Sequence, residues 1–200
     1  MTFNYLYSIF YKDKTRRGWM EIKKGTSRIV VLLPLLGLAV KFPIIHPIRA
    51  LRLFIRIMRG KDRWKNIKLY WRCSPKAIAG FKGPLFKGIV ANWKEFVFYQ
   101  QTKNIFLNPT YLSVFGLMNI QPIGKPFVMN YQVLGKQLDT LTKGKTYLDA
   151  HCFANTSNFC CNHYGKLRIL DYSSDGAQAV IREYGEKIHQ LFDFSYTPNS

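Results

Sequence analysis

Runs of apolar residues separated by turn-forming residues predict the elements of this chain. Residues 28–42 predict two apolar strands, at about 27–33 and 37–42, which are joined by a turn from Pro34 to Gly37. Residues 47–60 place apolar side chains at helical spacing, with Pro47 at the start and Gly60 at the end. A second helix is expected over 88–103.

The second half of the chain predicts more strands and two further helices. Residues 110–134 predict strands on either side of a turn at 122–126, and a helix-like stretch follows at 135–147. A hairpin is expected next, with its turn at His163-Tyr164-Gly165, and a final helix covers 176–192. These alternations predict an α+β protein.

The charge is high and unevenly distributed along the 200 residues. The net charge is +19, and residues 1–100 hold 21 Lys and Arg against 4 Asp and Glu. Residues 43–87 alone hold 12 basic residues and a single acid, Asp62. Such a field attracts phosphates, anionic lipid or nucleic acid, and does not determine the fold. The 48% of hydrophobic residues is enough for a sizeable core.

Two candidate oxygen ligands flank the predicted hairpin, one before its first strand and one after its second strand. Asn158 precedes the first predicted strand, and Asp171 follows the second, thirteen positions later. An amide oxygen and a carboxylate that meet at one end of a hairpin suit Mg²⁺, which keeps several waters and also binds phosphate oxygens. A surface hairpin with polar turn residues explains the same pattern.

Two upstream residues are candidates for a charged site. Lys41 lies near the end of an apolar strand, where it must reach solvent or a counter-charge. Glu95 shares a face of the next long helix with Asn92 and Tyr99, at spacings of three and four. The order along the chain is a lysine on a strand, a glutamate on the next helix, and then an asparagine and an aspartate that flank a hairpin.

The order of these residues resembles that of the protein-kinase-like phosphotransferases, which include the aminoglycoside and lipopolysaccharide kinases. Ala39-Val40-Lys41-Phe42 resembles their lysine strand, and Glu95 is the candidate for the helix glutamate with which that lysine pairs in the family. Asp149-Ala150-His151 resembles the Asp-x-His of their catalytic loop. No G-x-G-x-x-G motif precedes Lys41, and the 54 positions between Lys41 and Glu95 predict an inserted segment.

The resemblance implies a set of cofactors and residue roles. ATP and Mg²⁺ are the implied cofactors, Lys41 and Glu95 serve the phosphates, and Asp149 acts as the base for the acceptor hydroxyl. Asn158 and Asp171 are the implied metal ligands. Asn155 is the alternative to Asn158, because it lies closer to the spacing that the family keeps after the catalytic Asp.

The resemblance also implies a two-lobe fold with an antiparallel N-lobe sheet, a basic helical insertion and a much reduced C-lobe. Residues 1–24 form an aromatic and basic segment, 25–134 an N-lobe-like region with the insertion at 43–87, and 135–200 the reduced C-lobe. The implied activity is ATP-dependent phosphorylation of a hydroxyl on a small or membrane-associated anionic acceptor. The alternative is an inactive kinase-like module that binds anionic membrane or nucleic acid.

The predicted helix at 47–60 suggests a partner. Arg49, Arg52, Arg56 and Arg59 share one of its faces, beside an apolar stripe of Ile48, Leu51, Ile55 and Met58. The helix either docks on an anionic membrane or acceptor, or packs its stripe on its own domain and turns the arginines to water. Charge alone also allows a nucleic-acid-binding protein of another fold, although no binding motif for nucleic acid occurs.

Cysteine use and apolar runs indicate the compartment. The four cysteines do not form a disulfide framework, and the apolar run at 29–40 is too short to span a membrane. We expect a cytoplasmic protein, with a peripheral position on the inner membrane face as an option. A zinc site built from the following residues has suitable side chains but no C-x-x-C pair: His151, Cys152, Cys160, Cys161 and His163.

Overall fold

Two antiparallel sheets and six helices are described by a computed structural model, which covers residues 20–60, 62–72, 82–127 and 129–192. The fold is α+β, as the sequence predicts. Most of the aromatic and basic segment predicted at 1–24 lies outside the described residues.

The larger sheet has five strands in the order β1-β2-β3-β5-β4. The strands are β1 Glu21–Lys24, β2 Arg28–Leu33, β3 Leu38–Pro43, β4 Leu112–Val114 and β5 Met118–Pro122. The smaller sheet has the order β6-β7-β8, with β6 Lys125–Pro126, β7 Phe159–Cys161 and β8 Leu167–Ile169. The predicted hairpin at 159–169 is therefore confirmed.

The helices are α1 Pro47–Met58, α2 Arg63–Arg72, α3 Lys82–Thr102, α4 Tyr131–Thr142, α5 Ala150–Phe153 and α6 Asp175–Leu191. Helices α1 and α2 lie between β3 and α3 in the chain, so the basic segment at 43–87 contains a helical pair. Helix α3 begins six residues earlier than predicted, and Pro84 falls in its first turn, where a missing N–H is tolerated.

The turn between β2 and β3 fixes the register of the first sheet. Pro34–Leu36 forms a 3-10 turn, and Gly37 closes it with φ of 64°, a left-handed conformation that glycine adopts without strain. Val30 consequently pairs with Lys41, and Arg28 with Pro43. Side chains alternate between faces along a strand, so Arg28, Val30 and Lys41 share one face of the sheet.

The strand predicted over 127–134 is wrong, because the second half of this segment, 131–134, belongs to α4. Asn130 begins the helix by accepting a hydrogen bond from the Gln132 N–H at 2.8 Å. Leu134 and Leu138, four positions apart, are both fully buried, which is the helical period. The boundary predicted between residues 134 and 135 falls inside this helix.

The main hydrophobic core lies around the second sheet, α4 and α6. Its larger members include Phe106, Leu134, Leu167, Ile169 and Ile181. The first sheet instead buries polar side chains against α3, which positions the candidate site. Within the described ranges, no helix is both long and apolar enough to cross a membrane.

Candidate functional site

Lys41 and Glu95 form a buried ion pair, as the resemblance implies. Alternation along β3 turns Ala39 and Lys41 inward, and α3 presents Glu95 to the same space. Lys41 Nζ lies 3.0 Å from Glu95 Oε2, and Glu95 is fully buried. Burial lowers the pKa of Lys41, while the attraction of Glu95 opposes that shift.

Lys41 also connects the first sheet to the hairpin. Its Nζ donates a second hydrogen bond, of 2.8 Å, to the main-chain oxygen of Leu170. Leu170 directly precedes Asp171, at the end of β8. A single ammonium group therefore holds together β3, helix α3 and the end of the hairpin.

Arg28 completes a cluster of four charges that sequence reasoning missed. Its Nη1 donates to Glu95 Oε1, and its Nη2 lies 2.8 Å from Asp171 Oδ2. We call Arg28, Lys41, Glu95 and Asp171 the four-charge cluster. Two cations and two carboxylates compensate one another, which makes their burial tolerable.

The ionisation state of the Asp171 carboxyl group follows from these neighbours. Burial by itself would raise the pKa of its carboxyl group, but Arg28 and Lys41 outweigh burial and hold the pKa well below its usual value. The carboxyl group is therefore ionised at neutral pH. Its side chain is still 41% exposed, so one side of it faces solvent.

Cys152 links the three other predicted residues of the hairpin region. Its N–H donates to Asp149 Oδ1 at 3.1 Å, and its carbonyl oxygen accepts from Asn158 Nδ2 at 3.0 Å. Its thiol donates to the main-chain oxygen of Asp171 at 2.7 Å. Burial raises the pKa of this thiol well above its usual range, so the thiol keeps its proton. Asp149, Asn158 and Asp171 therefore surround one buried residue.

Asp149 is held in place by two donors. It begins α5, where it accepts the Cys152 N–H, and its Oδ2 accepts a hydrogen bond from the Ser174 hydroxyl. Ser174 in turn begins α6 by accepting the Ala177 N–H. The carboxylate position is thus set by the starts of two helices.

The geometry separates the two asparagines that the sequence left as alternatives. Asn155 Oδ1 accepts hydrogen bonds from the Ser157 N–H and the Ser157 hydroxyl, at 3.1 and 2.7 Å, and begins a short 3-10 turn. Asn158 uses only its Nδ2, and no donor among the described residues reaches its Oδ1. Asn158 is therefore the better candidate to offer an amide oxygen.

These residues fit Mg²⁺ under one condition. Asn158 Oδ1 and the Asp171 carboxylate supply one amide oxygen and one carboxylate, which suit a magnesium ion held chiefly by phosphates and water. Asp171 Oδ2 is engaged by Arg28, so this guanidinium must move for the carboxylate to become a ligand. Among the described residues, no group of three His, Cys, Asp or Glu could hold a metal ion by itself.

The cysteines of the hairpin are packed in the interior. Cys160 and Cys161 are both buried, in successive positions of β7. Burial raises the pKa of Cys160 to about 12 and also raises that of Cys161. Successive residues of a strand point to opposite faces, so these two thiols do not face one common site.

Sequence reasoning missed Arg28 because its role depends on strand register. The sequence indicates this role only indirectly, because Arg28 lies two positions from Val30, and Val30 pairs with Lys41. Only the length of the turn at 34–37 places both cations on one face.

Comparison with protein-family models, with curated proteins and with solved structures gives no match for this chain.

Proposed function

We propose that this chain is a small, divergent kinase-like phosphotransferase, with a two-lobe fold, that uses ATP and Mg²⁺ to phosphorylate a hydroxyl of an anionic acceptor. The observation that carries the proposal is the buried Lys41–Glu95 pair, whose lysine also contacts the residue before Asp171. Active kinases require a strand lysine paired with a helix glutamate beside a metal-binding aspartate.

Each residue has a role in this proposal. Glu95 orients the Lys41 ammonium, which donates to phosphate oxygens. Asp149, fixed by Cys152 and Ser174, accepts the proton of the acceptor hydroxyl. Asn158 and Asp171 hold Mg²⁺. When bound, the magnesium nucleotide supplies the phosphoryl group and the positive charge that offsets the phosphates.

Arg28 sets the condition for this chemistry. Its Nη2 lies 2.8 Å from Asp171 Oδ2, so the guanidinium supplies the positive charge beside this carboxylate that a metal ion would otherwise supply. For Asp171 to serve as a metal ligand, Arg28 would have to release its Oδ2. The guanidinium would then be available to contact phosphate oxygens, for which its planar donors are well suited.

The contacts of Arg28 with Asp171 and Glu95 also favour a second candidate function. Because Arg28 already neutralises Asp171 and Glu95, the cluster is stable without a metal. A kinase-like module that binds anionic partners without catalysis would keep this state permanently.

Thermal unfolding with and without ATP and Mg²⁺ tests the proposal. A ligand present at about 100 times its Kd and specific for the folded state adds roughly 2.7 kcal/mol. We expect a magnesium-dependent rise in the unfolding midpoint that is lost in Asp171→Asn. Asp175→Asn is the matched control, because Asp175 is exposed and pairs with Lys94 outside the cluster. It should keep the full response.

The Arg28→Gln variant distinguishes the two candidates. If Arg28 competes with Mg²⁺, the variant responds to Mg²⁺ and ATP at lower magnesium concentration than the wild type. Absence of a response in both proteins, at millimolar ATP, would contradict the phosphotransferase and favour the non-catalytic module. Where a response is found, release of ADP in the presence of acceptors, and its loss in Asp149→Asn, tests catalysis.

A further inference from the structure

Helix α1 exposes an apolar stripe to solvent. Ile48, Leu51 and Ile55 are 65%, 57% and 41% exposed, although the sequence left open that this stripe packs on the domain. The face that α1 buries carries Ala50 and Ile57 instead. The stripe is therefore not part of the core of the described structure.

A row of arginines runs beside this stripe. Arg49, Arg52, Arg56 and Arg59 are all exposed, as the sequence predicts for one shared face. At about 100° per residue, the centres of the apolar stripe and the arginine row lie roughly 90° apart around α1. The buried face occupies the remaining side. Exposed apolar and basic stripes that adjoin each other are typical of a helix that lies in a membrane interface.

Helix α2 repeats this combination and contacts α1. Trp64 and Trp71 are 67% and 58% exposed and lie seven positions apart, which places them on one face. Lys68 lies between them on the same face and is exposed. Tryptophan is enriched where a membrane meets water, because its ring is apolar and its N–H is polar.

We propose that α1 and α2 form a docking surface for anionic phospholipid membranes. The docking surface consists of four apolar and four basic side chains: Ile48, Leu51, Ile55, Trp64, Arg49, Arg52, Arg56 and Lys68. Charge complementarity identifies the partner, because residues 43–87 carry 12 basic residues and one acid. Anionic headgroups attract the arginines, and the acyl region receives the apolar stripe.

Two other occupants fit less well. Nucleic acid would pair with the arginines but offers no apolar phase to three aliphatic side chains, since its stacking partners are aromatic. The N-terminal residues 1–19 of this chain are themselves basic, with Lys12, Lys14, Arg16 and Arg17 against Asp13, so they would repel the arginine row.

Flotation of the full chain with lipid vesicles, without nucleotide, tests the proposal. We expect binding to vesicles in which about a third of the lipid is phosphatidylglycerol, and at least about tenfold weaker binding to vesicles of phosphatidylcholine alone. The triple variant Ile48→Ser, Leu51→Ser, Ile55→Ser keeps every charge and should lose at least about tenfold in affinity for the anionic vesicles. Because these side chains are exposed, the variant should fold, and its unfolding midpoint checks this.

The matched control is Leu35→Ser with Leu36→Ser. These leucines are 71% and 68% exposed at the turn between β2 and β3, away from any arginine row. The control should bind anionic vesicles like the wild type. A loss in this control equal to that of the triple variant would overturn the proposal, since any exposed apolar residue would then suffice.

Two further results would also overturn it. One is failure of the wild type to bind anionic vesicles at about 0.1 M salt. The other is binding of single-stranded DNA that competes with vesicles and is unchanged in the triple variant, because that pattern identifies nucleic acid as the partner of the arginines. The assay requires no nucleotide, so its outcome is independent of the proposed phosphotransferase activity.

Discussion

Arg28 is the residue on which the electrostatics of the candidate site depend. Glu95 has no access to water, and Lys41 has very little. A buried carboxylate costs several kcal/mol unless charged partners and hydrogen bonds replace its hydration. Arg28 contacts Glu95 and Asp171 with separate nitrogens, so one planar group compensates both carboxylates. Lys41 alone, with one ammonium shared between Glu95 and a carbonyl oxygen, would leave Asp171 without a salt-bridge partner.

Replacing Arg28 by Gln should lower the free energy of unfolding by about 2–3 kcal/mol at pH 7. Removal of one partner from a buried pair typically costs about 3–5 kcal/mol, and the exposure of Asp171 reduces this figure. Chemical denaturation measures the change. Arg49→Gln, on the exposed face of α1, is the control and should change stability by less than about 0.5 kcal/mol.

The pH dependence of the same variant carries a definite sign. The pKa of Asp171 is held below that of the unfolded chain, which is about 3.9, so the folded state binds fewer protons than the unfolded state around and below that pH. This contribution to stability is complete above the unfolded pKa and is lost as the pH falls toward the folded pKa. The difference in free energy of unfolding between the wild type and Arg28→Gln should therefore become smaller below about pH 4. A gap that stays constant with pH would show that Arg28 acts through packing.

At the scale of single residues, the sequence predicted pairs more readily than clusters. The pairing of Lys41 with Glu95 was expected from the resemblance, and a lysine in an apolar strand needs either solvent or a counter-charge. Arg28 begins its strand, where a basic residue is unremarkable, and only the register of the hairpin brings it to Glu95. The capping roles of Asn155 and Asp149 are local, yet their effect on the site depends on how the hairpin packs.

Helix α3 positions Glu95 through a close contact with the first sheet. A Cβ atom on Gly88 would lie 2.4 Å from the Ser27 carbonyl oxygen and 2.8 Å from Pro43 Cβ. The absence of a side chain lets the helix backbone approach the ends of β2 and β3. Asn92, one turn further on, donates to the Gly116 carbonyl oxygen at 3.0 Å. Both contacts fix the height of Glu95 above Lys41.

Gly88→Ala should therefore destabilise the protein by about 1–3 kcal/mol, the usual range for overpacking. The displaced helix should also weaken the response to ATP and Mg²⁺. Gly135→Ala is the matched control, because Gly135 lies inside α4 and a Cβ there meets nothing within 4 Å. It should stabilise the protein by about 0.5–1 kcal/mol through helix propensity. Similar effects of both substitutions on unfolding would contradict the close contact at Gly88.

At the scale of elements, periodicity predicted most helices and strands and failed at 127–134. That segment contains β-favouring residues such as Phe127, Val128 and Tyr131, which suggested a strand. The competing signals were Asn130 as a helix start and the spacing of Leu134 and Leu138. Tertiary packing decided the outcome, because both leucines fill the core beside α6.

At the scale of the whole molecule, a chain of buried hydrogen bonds joins the first sheet to the segment that follows β8. Gln121 Nε2, on β5, donates to Thr110 Oγ1 at 2.7 Å, and Thr110 Oγ1 lies 2.8 Å from the Tyr172 hydroxyl. The Tyr172 hydroxyl donates to the Asn108 carbonyl oxygen at 2.9 Å. Tyr172 directly follows Asp171, so the same connection also places the acid of the candidate site. None of this network is visible in a sequence pattern, since its members are distant in the chain.

Tyr172→Phe should lower the free energy of unfolding by about 1–3 kcal/mol. The substitution keeps the buried ring but leaves the Thr110 hydroxyl and the Asn108 carbonyl without their partner, which is the costly way to lose a buried hydrogen bond. The wild type should unfold in one cooperative transition, whether followed by circular dichroism or by tryptophan fluorescence. Tyr164→Phe, at an exposed position in the hairpin turn, should match the wild type. If Tyr172→Phe also matches it, this hydrogen-bond network does not contribute to stability, and the position of Asp171 must be attributed to Arg28 and Lys41.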